Sequence, residues 1–328
     1  MPRAVVLLSG GLDSMLAVRI LQEQGFEVDA LNVRTIFECC KARAAKAAAE
    51  LGVRLTILSV ADDYLDVIRK PTYGYGKGVN PCVDCRLYMC RMAKAYMEEV
   101  EACVVVSGEV LGQRPMSQRR WQVEVIERKS GLEGRLLRPL SAKLLPPTIP
   151  EREGLIDREK LYAFNGRGRR ELIALARRLS IKEIPQPSTG CPLTQVTFAP
   201  RVRDLMQFDP VATRWDFELL NAARHVRFDE HTKVVVGRNE EENAVLGDFF
   251  RRPDAPSPAL LHPESFLGPD VLVVGRVTDE AIEFAGGLIL RYARRFVPDD
   301  ARVRVTHWGS SRVIQARESE ATRAAPRL

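Results

Sequence analysis

Short apolar runs alternate with amphipathic segments along the first hundred residues of the chain. Strands are predicted at 4–8, 28–33, 55–60 and 103–106, and helices between them at 13–24, 41–51 and 86–99. A repeated strand–helix pattern is typical of a doubly wound parallel sheet, in which ligands bind at the carboxyl ends of the strands. The sequence therefore predicts an α/β domain whose site begins just after Leu8.

The pattern changes beyond about residue 214. A helix is predicted at 215–223, and strand-like runs follow at 233–236, 271–274 and 302–305, separated by loops such as 251–263. We therefore expect a parallel-sheet domain at 1–214 and a smaller α+β domain at 215–328. The tail after Arg317 has little apolar surface to bury, so it is predicted to be frayed.

Composition narrows the class of protein only slightly. The 328 residues are 45% hydrophobic and 28% charged, which excludes a disordered or fibrous chain. Since there is no apolar run of membrane-spanning length and no signal peptide, we expect a cytoplasmic protein without membrane contact. The formal net charge of +6 permits a polyanionic partner without requiring one.

The segment between the first strand and the first helix carries the clearest chemical signal. It reads Ser9-Gly10-Gly11-Leu12-Asp13-Ser14. Two glycines allow a sharp turn that presents backbone N–H groups to an anion, and the helix that follows adds the positive end of its dipole. The serine hydroxyls add donors, and Asp13 is suited to hold Mg²⁺ or to cap the helix. An ordinary tight turn with a capping aspartate is the alternative.

The cysteines suggest metal or thiol chemistry rather than disulfides, because seven form an odd set in a chain without an export signal. Cys82 and Cys85 have CxxC spacing near a helix start, and Cys191 lies far downstream in the turn 188–192. Three such thiols suit a [4Fe-4S] cluster with one open iron or a zinc ion with one open position. Three unrelated cysteines are the alternative.

The remaining cysteines are interpreted differently. Cys90 and Cys103 are predicted to pack in the core as small hydrophobic residues. The vicinal pair Cys39 and Cys40 either assists sulfur relay or is incidental.

The hexapeptide 9–14 resembles the SGGxDS signature of the PP-loop ATP pyrophosphatase superfamily, whose fold is that of the adenine nucleotide alpha hydrolases. The resemblance implies cleavage of ATP between the α and β phosphates, adenylation of a substrate oxygen, and a need for Mg²⁺. It implies a catalytic Asp13. The expected ATP-binding residues are Ser9, Gly10, Gly11, Leu12, Asp13, Ser14, Asn32, Gly108 and Gln113.

The cysteine spacing resembles that of the cluster-dependent branch of the tRNA thiolation enzymes. That resemblance makes Cys82, Cys85 and Cys191 the ligands of a [4Fe-4S] cluster, with Cys85 and Cys191 also counted as catalytic. A cluster-free branch would instead use Cys191 and Cys85 as persulfide and resolving cysteines. In that branch an aspartate is typical at the position of Cys82, so the cysteine found here favours the cluster.

A further resemblance points to the 4-thiouridine synthetase (ThiI) family. Its GExxGQ…SQ stretch resembles 108–113 followed by 117–118, and 137–140 resembles the segment after the fifth strand; the likeness spans about 3–195. The N-terminal RNA-binding module of that family is not expected here, because the phosphate loop begins at Ser9. The target position on the RNA is therefore open.

The second domain resembles the NFACT-R module, which is associated with RNA binding. The likeness rests on 224–228 and on 233–243, which contains a VGRN core. We expect Lys233 and Arg238 to contact phosphates and His225 and Phe228 to stack on bases. A charged hairpin without a ligand is the alternative.

Together these patterns predict an ATP-dependent tRNA sulfurtransferase that adenylates a uridine carbonyl oxygen and replaces it with sulfur. Its partners would be tRNA and a sulfur donor, either sulfide or a cysteine desulfurase, and a homodimer is left open. One alternative is an amide-forming or small-molecule sulfur-transfer enzyme of the same superfamily with structural zinc. Another is a non-catalytic RNA-binding factor.

Overall fold

The computed structural model describes residues 1–37, 41–187, 190–293 and 297–328. They form two compact units, Met1–Cys191 and Pro192–Leu328. The second unit thus begins before the predicted boundary at 214/215, because residues before that boundary contact its strands and helices: Asp204 pairs with Arg227, and Arg201 Nη1 donates to the Leu220 carbonyl at 3.2 Å. No helix within these described ranges is long and apolar enough to cross a membrane.

The first unit is a parallel α/β sandwich, as predicted. Its strands are β1 (Arg3–Leu7), β2 (Glu27–Arg34), β3 (Arg54–Ser59), β4 (Val104–Ser107) and β5 (Leu136–Leu137). Its α-helices are α1 (Leu12–Glu23), α2 (Lys41–Leu51), α3 (Tyr64–Arg69), α4 (Cys82–Glu99), α5 (Arg120–Ser130), α6 (Ile149–Arg152) and α7 (Arg170–Arg178). Short 3₁₀ turns occupy Ala142–Leu144 and Arg158–Lys160.

Strand order in the first sheet is β3-β2-β1-β4-β5, and all pairs are parallel. The central strand β1 is apolar because both of its faces are covered, as in other parallel sheets. Strands β2 and β4 lie on opposite sides of β1, so the direction in which strands are added to the sheet reverses there. At such a switch point a crevice forms at the carboxyl ends of the strands. The phosphate loop follows β1 directly and lies at this crevice.

The second unit is an antiparallel sheet with helices, consistent with the predicted α+β class. Its strands are β6 (Arg224–Arg227), β7 (Thr232–Val236), β8 (Ala259–Pro263), β9 (Val271–Gly275), β10 (Arg302–His307) and β11 (Ser310–Gln315). Its helices are α8 (Ala199–Phe208), α9 (Arg214–Leu219), α10 (Glu240–Arg251), α11 (Asp279–Tyr292) and α12 (Glu320–Ala324), after a 3₁₀ turn at Pro192–Thr194. Strand order is β11-β10-β8-β9-β7-β6.

Two predictions for the second unit are wrong. The predicted loop 251–263 ends in strand β8, whose Leu261 pairs with Val305 of β10. The tail is not frayed, because α12 is capped by Ser319 and its Thr322 is fully buried. Arg291 also donates to the Thr322 carbonyl at 2.7 Å, so side-chain contacts replace the apolar surface that the tail lacks.

Candidate functional site

The phosphate loop is held in a tight turn between β1 and α1. Gly10 has φ +75, and a Cβ there would lie 2.6 Å from the Arg43 backbone, so only glycine fits. Ser14 Oγ donates to the Gly11 carbonyl at 2.8 Å, and Ser9 Oγ lies 3.4 Å from Ser14 Oγ. Since no side chain caps the helix at Gly11, its first N–H groups remain available to an anion.

Two neighbouring strand ends support this loop. Asn32, at the end of β2, is buried, and its Nδ2 donates to the Leu8 carbonyl at 2.9 Å. A Cβ on Gly108, just after β4, would lie 2.3 Å from the carbonyl oxygen of Asp13, so the β4 end packs directly against α1. Leu12 is buried in the core, which leaves only its backbone for a ligand.

Asp13 is the acidic side chain of the loop. Burial raises its pKa, whereas a hydrogen bond with Gln113 and the nearby charges of Arg169 and Arg114 oppose that rise. Gly108, Gln113 and Asp13 thus lie close together at the carboxyl end of the sheet. The two arginines were not assigned to this site from the sequence motifs.

The CxxC pair lies on the first turn of α4, which begins at Cys82 rather than at the predicted residue 86. Burial raises the pKa of the Cys82 thiol, and Cys85 adds to the rise, while Arg86 and Arg114 lower it. Arg114 therefore acts electrostatically on both Cys82 and Asp13. The guanidinium group of Arg114 thus lies within electrostatic range of both the thiol pair and the phosphate loop.

Cys85 has a buried neighbour that sequence reasoning missed. The hydroxyl of Tyr64, whose residue is 1% exposed, donates to Cys85 Sγ at 3.0 Å. The Tyr64 ring packs edge-on against Tyr88 with ring centroids 5.2 Å apart. No motif marks Tyr64, which precedes Cys85 by a helix and a loop, so only the folded chain shows the contact.

Behind the thiols lies a buried group of alternating charges. Glu109 Oε1 is 3.1 Å from Arg86 Nε, and Glu109 Oε2 is 3.1 Å from Arg138 Nε. Arg138 also contacts Glu127 at 3.0 Å. Burial alone would raise the pKa of Glu109, but the two arginines outweigh burial, so its pKa is lowered and the carboxylate stays charged.

The third predicted cysteine is not gathered with the other two. Cys191 is half-buried in the loop before Pro192–Thr194. Among the described residues, no three His, Cys, Asp or Glu side chains are arranged to hold a metal ion. The thiol donors of Cys82 and Cys85 suit iron or zinc chemically, but the arrangement in this structure does not fit a three-cysteine cluster.

The other cysteines differ in burial and in whether the structure describes them. Cys90 is in the core, as predicted, and burial raises its pKa to about 12, so it remains a thiol at neutral pH. Cys103 is only half-buried, although it packs against the core cluster. Cys39 and Cys40 lie outside the described residues, so their predicted relay role stays a prediction.

In the second unit, two of the predicted RNA contacts are wrong. His225 is fully buried and cannot stack on a base, and Lys233 is 3% exposed and cannot reach a phosphate in this fold. Phe228 packs on Phe284 with ring centroids 5.0 Å apart. Arg238 is 47% exposed and pairs with Glu242, so it alone of these four has an accessible charge.

The fold and the site define a class of protein in which an α/β domain with a glycine-rich loop after its first strand is followed by an antiparallel α+β domain. Residues 2–143 match the profile of the family described as thiamine biosynthesis protein (ThiI). Residues 223–325 match the profile described as NFACT protein RNA binding domain. The resemblance predicted from the motifs is therefore confirmed for each domain.

Curated relatives match over a short segment. The tRNA-specific 2-thiouridylase MnmA of Sulfurimonas denitrificans is 36% identical over 94 residues, which cover 26% of this chain and 28% of the relative. MnmA of Acidithiobacillus ferrooxidans is 31% identical over 96 residues, covering 26% and 27%. The matched segment thus spans little more than a quarter of these relatives.

Solved structures are similar at low identity. A 4-thiouridine synthetase–RNA complex with bound ATP aligns with a TM-score of 0.35 at 19% identity, over 55% of this chain and 52% of that chain. A predicted subunit of tRNA methyltransferase from Methanocaldococcus jannaschii aligns with a TM-score of 0.36 at 14% identity, over 54% and 76%.

Proposed function

We propose that the protein is an ATP-dependent tRNA sulfurtransferase. The observation that supports this most is that Arg114 acts on both Asp13 and Cys82, so a phosphate-binding loop and a thiol pair share one edge of the sheet. The family match of residues 2–143 and the short likeness to tRNA 2-thiouridylases support the same reaction class. The RNA-binding profile of the second domain supports tRNA as substrate.

The reaction would begin with attack of a uridine carbonyl oxygen on the α phosphorus of ATP, with loss of pyrophosphate. The loop's backbone N–H groups, with Ser9 and Ser14, would bind the departing phosphates. Arg114 and Arg169 would offset negative charge near Asp13. A sulfur nucleophile would then add at the activated carbon and AMP would leave with the former carbonyl oxygen, replacing oxygen by sulfur.

The proposed reaction also needs Mg²⁺ and a group that carries sulfur. Asp13 is the carboxylate we assign to Mg²⁺, which would neutralise the pyrophosphate when bound. Cys82, Cys85 and Cys191 are the ligands we propose for a [4Fe-4S] cluster on the ground of their spacing in the sequence, although the described structure does not bring the three thiols together. We also propose that the sulfur donor is either sulfide or a cysteine desulfurase. The proposal further includes a cytoplasmic location and formation of a homodimer.

The ATP assignment is tested with Asp13→Asn, which keeps the side chain's shape and removes its charge. We expect tRNA-dependent AMP formation by the full chain to fall at least about 100-fold, because a group at the reacting phosphates contributes on that scale. Asp66→Asn is the matched control, since Asp66 also lies in the first turn of a helix but is 82% exposed. Wild-type AMP formation by Asp13→Asn would refute the assignment.

The cluster is tested by metal analysis of anaerobically purified protein. A [4Fe-4S] cluster predicts about four irons per chain, and structural zinc predicts about one zinc. Cys82→Ala separates the remaining alternatives, because a persulfide mechanism on Cys85 and Cys191 would survive that change and a cluster would not. Cys103→Ala, remote from the thiol pair in the fold, should leave metal content and thiolation unchanged.

A further inference from the structure

An unusual group of arginines surrounds one tyrosine in the second domain. The guanidinium carbons of Arg224, Arg291 and Arg327 lie 4.8, 5.3 and 5.3 Å from the centre of the Tyr292 ring. Arg327 Nε also donates to the Tyr292 hydroxyl at 3.2 Å. We call these residues, together with Arg201 and Arg238, the Tyr292 arginine cluster. It lies beside β6, the edge strand of the sheet.

Arg201 and Arg238 belong to the cluster through their charges. Burial lowers the pKa of Arg201 and of Arg224, and in both cases the charge of Arg238 lowers it further. Arg327 has the same effect on Arg224. These effects place Arg238 within electrostatic range of Arg201 and Arg224. Arg224 Nη1 also lies 3.4 Å from the carbonyl oxygen of Gly237, the residue before Arg238.

Acidic side chains compensate little of this charge. Among the ion pairs of the described residues, Glu242 is the acidic side chain that contacts the cluster, and it pairs with Arg238. The oxygen of Leu328 also accepts from Arg201 Nε at 3.5 Å, so five guanidinium groups share one acidic side chain and this further acceptor. Like charges held this close repel, so the arrangement favours an anion that bridges several arginines.

Two of the five arginines are engaged with the backbone. Arg291 Nη1 donates to the carbonyls of Thr322 and Ala325 at 2.7 and 2.9 Å, which fixes α12 against α11. Arg201 Nη1 donates to the Leu220 carbonyl at 3.2 Å. Their positions are therefore structural, and the other three remain to contact a ligand.

The three remaining arginines are better placed for an anion. Arg327 and Arg238 are exposed, and Arg224 is half-buried with one long hydrogen bond of 3.4 Å to the Gly237 carbonyl. The Tyr292 ring is itself covered by guanidinium groups, so it is not a surface on which a base can stack. The geometry therefore suits phosphate groups rather than bases.

We propose that Arg224, Arg238 and Arg327 form a binding site for backbone phosphates of RNA, with Tyr292 holding two of the guanidinium groups in place. RNA is the polyanion that the observations favour, because Arg224, Arg238 and Tyr292 lie within residues 223–325, which match an RNA-binding profile, and Arg327 follows that range by two residues. The inference uses the RNA part of the proposed function and needs no catalytic step. It assigns to the second domain contacts that are independent of base sequence.

The test compares RNA binding by the full chain and by an Arg224→Gln/Arg327→Gln variant. A fluorescein-labelled tRNA transcript is titrated at several KCl concentrations, and its anisotropy gives Kd. We expect the variant to bind about tenfold more weakly at about 100 mM KCl. We also expect the slope of log K against log salt to fall by about 1.5, because each lost phosphate contact removes about 0.7 to 0.9.

Matched controls separate this site from general charge. Arg251→Gln/Arg312→Gln removes two exposed arginines of the same domain, each paired with an aspartate, and should leave the salt slope unchanged. Arg224→Lys/Arg327→Lys keeps the charge and loses the planar stacking, so it should retain most of the slope while weakening binding. Thermal unfolding of each variant shows whether it is folded, and Arg327→Gln alone, at an exposed position, gives a milder second measurement.

Several results would overturn the inference. One is a wild-type salt slope in the folded Gln variant, and another is an equal loss of slope in the control variant. Cluster-dependent binding to phosphatidylglycerol vesicles without binding to tRNA would assign the site to a membrane surface instead. Loss of AMP formation in Asp13→Asn has no bearing on these measurements, so failure of the proposed reaction and failure of this site remain distinguishable.

Discussion

Two buried charged residues, Glu109 in the first domain and Lys233 in the second, differ in whether they have a partner of opposite charge among the described residues. In the first, Glu109 lies between Arg86 and Arg138, and its pKa is lowered because both arginines stabilise the carboxylate. In the second, Lys233 is 3% exposed, and its Nζ has no hydrogen-bond partner within the part of the chain that the structure describes. Burial lowers the pKa of Lys233 to about 8, although Asp216 opposes this.

The difference between the paired Glu109 and Lys233, whose Nζ is unpaired within the described ranges, indicates how charge contributes to the proposed function of each domain. A carboxylate between two guanidinium groups is rigid and stays charged, which suits a framework beside the thiol pair. The clustered arginines around Tyr292 repel one another in the free second domain, and a bound polyanion relieves part of that cost. Lys233 is the one lysine in residues 192–328, and unlike arginine it can lose its proton when buried.

Removing the charge of Glu109 should have the largest effect on stability. Glu109→Gln leaves Arg86 and Arg138 close together without a carboxylate, so we expect the free energy of unfolding to fall by about 3–5 kcal/mol. Urea denaturation followed by circular dichroism measures the change. Glu98→Gln is the control, because the Glu98 pair with Lys94 is exposed and should contribute under about 1 kcal/mol. A similarly small effect of Glu109→Gln would break the comparison.

Lys233→Met should show a pH-dependent effect of up to about 3 kcal/mol. The pKa of Lys233 is about 8 in the folded chain, against an ordinary lysine value of 10.5, so the unfolded chain binds more protons between those pH values. Burial of Lys233 therefore destabilises the fold fully below pH 8, and the penalty shrinks as pH rises toward 10.5. We expect the wild type to gain stability relative to Lys233→Met over that interval.

Urea denaturation of both proteins from pH 7 to 10 measures this difference. Other groups titrate in the same range, but they are common to both proteins and largely cancel. The groups facing Lys233 are Asp216, Arg227, Asp204 and Asp209, with His225 beside it, and all are retained in the variant. A difference in stability that is constant with pH would show that Lys233 carries no burial penalty.

The phosphate loop and the first sheet could be predicted because their signals are local. A strand, two glycines and a helix follow one another between Arg3 and Glu23, and each apolar strand is bounded by polar turns. The site contacts made by Arg114 and Tyr64 could not be predicted. Both connect separate elements, and neither residue carries a pattern that sets it apart in the sequence.

The early start of the second unit and the burial of Lys233 have one physical cause. Trp215 and Leu219 of α9 pack in a cluster with Val235 of β7, and Asp204 of α8 pairs with Arg227 of β6. Residues 192–219 thus cover a face of the second sheet that the sequence suggested was open. Alternation along β7 correctly puts Lys233 and Val235 on one face, but it cannot show that a preceding segment buries that face.

The smallest effect is expected from removing the Tyr64 hydroxyl, a neutral hydrogen-bond donor to Cys85. Tyr64→Phe removes the 3.0 Å hydrogen bond to Cys85 Sγ and keeps the ring packed on Tyr88. A hydroxyl that donates to sulfur favours the thiolate, so the pH midpoint of Cys85 alkylation should rise by about 0.5 to 1 unit on its loss. Iodoacetamide labelling from pH 6 to 10, with site-specific peptide mass spectrometry, measures it.

Cys82 serves as the neighbouring reference: Tyr64 donates to Cys85, and Cys85 acts on Cys82 only through charge, so the midpoint of Cys82 should move less than that of Cys85. Tyr96→Phe is the control variant, because Tyr96 is also buried and its hydroxyl lies 2.7 Å from Thr56 Oγ1 rather than near a thiol. An equal shift at Cys82 and Cys85 would point to general loosening of the first turn of α4. An unchanged midpoint at Cys85 would show that the first domain relies on its paired charges alone, without help from Tyr64, to control its thiols.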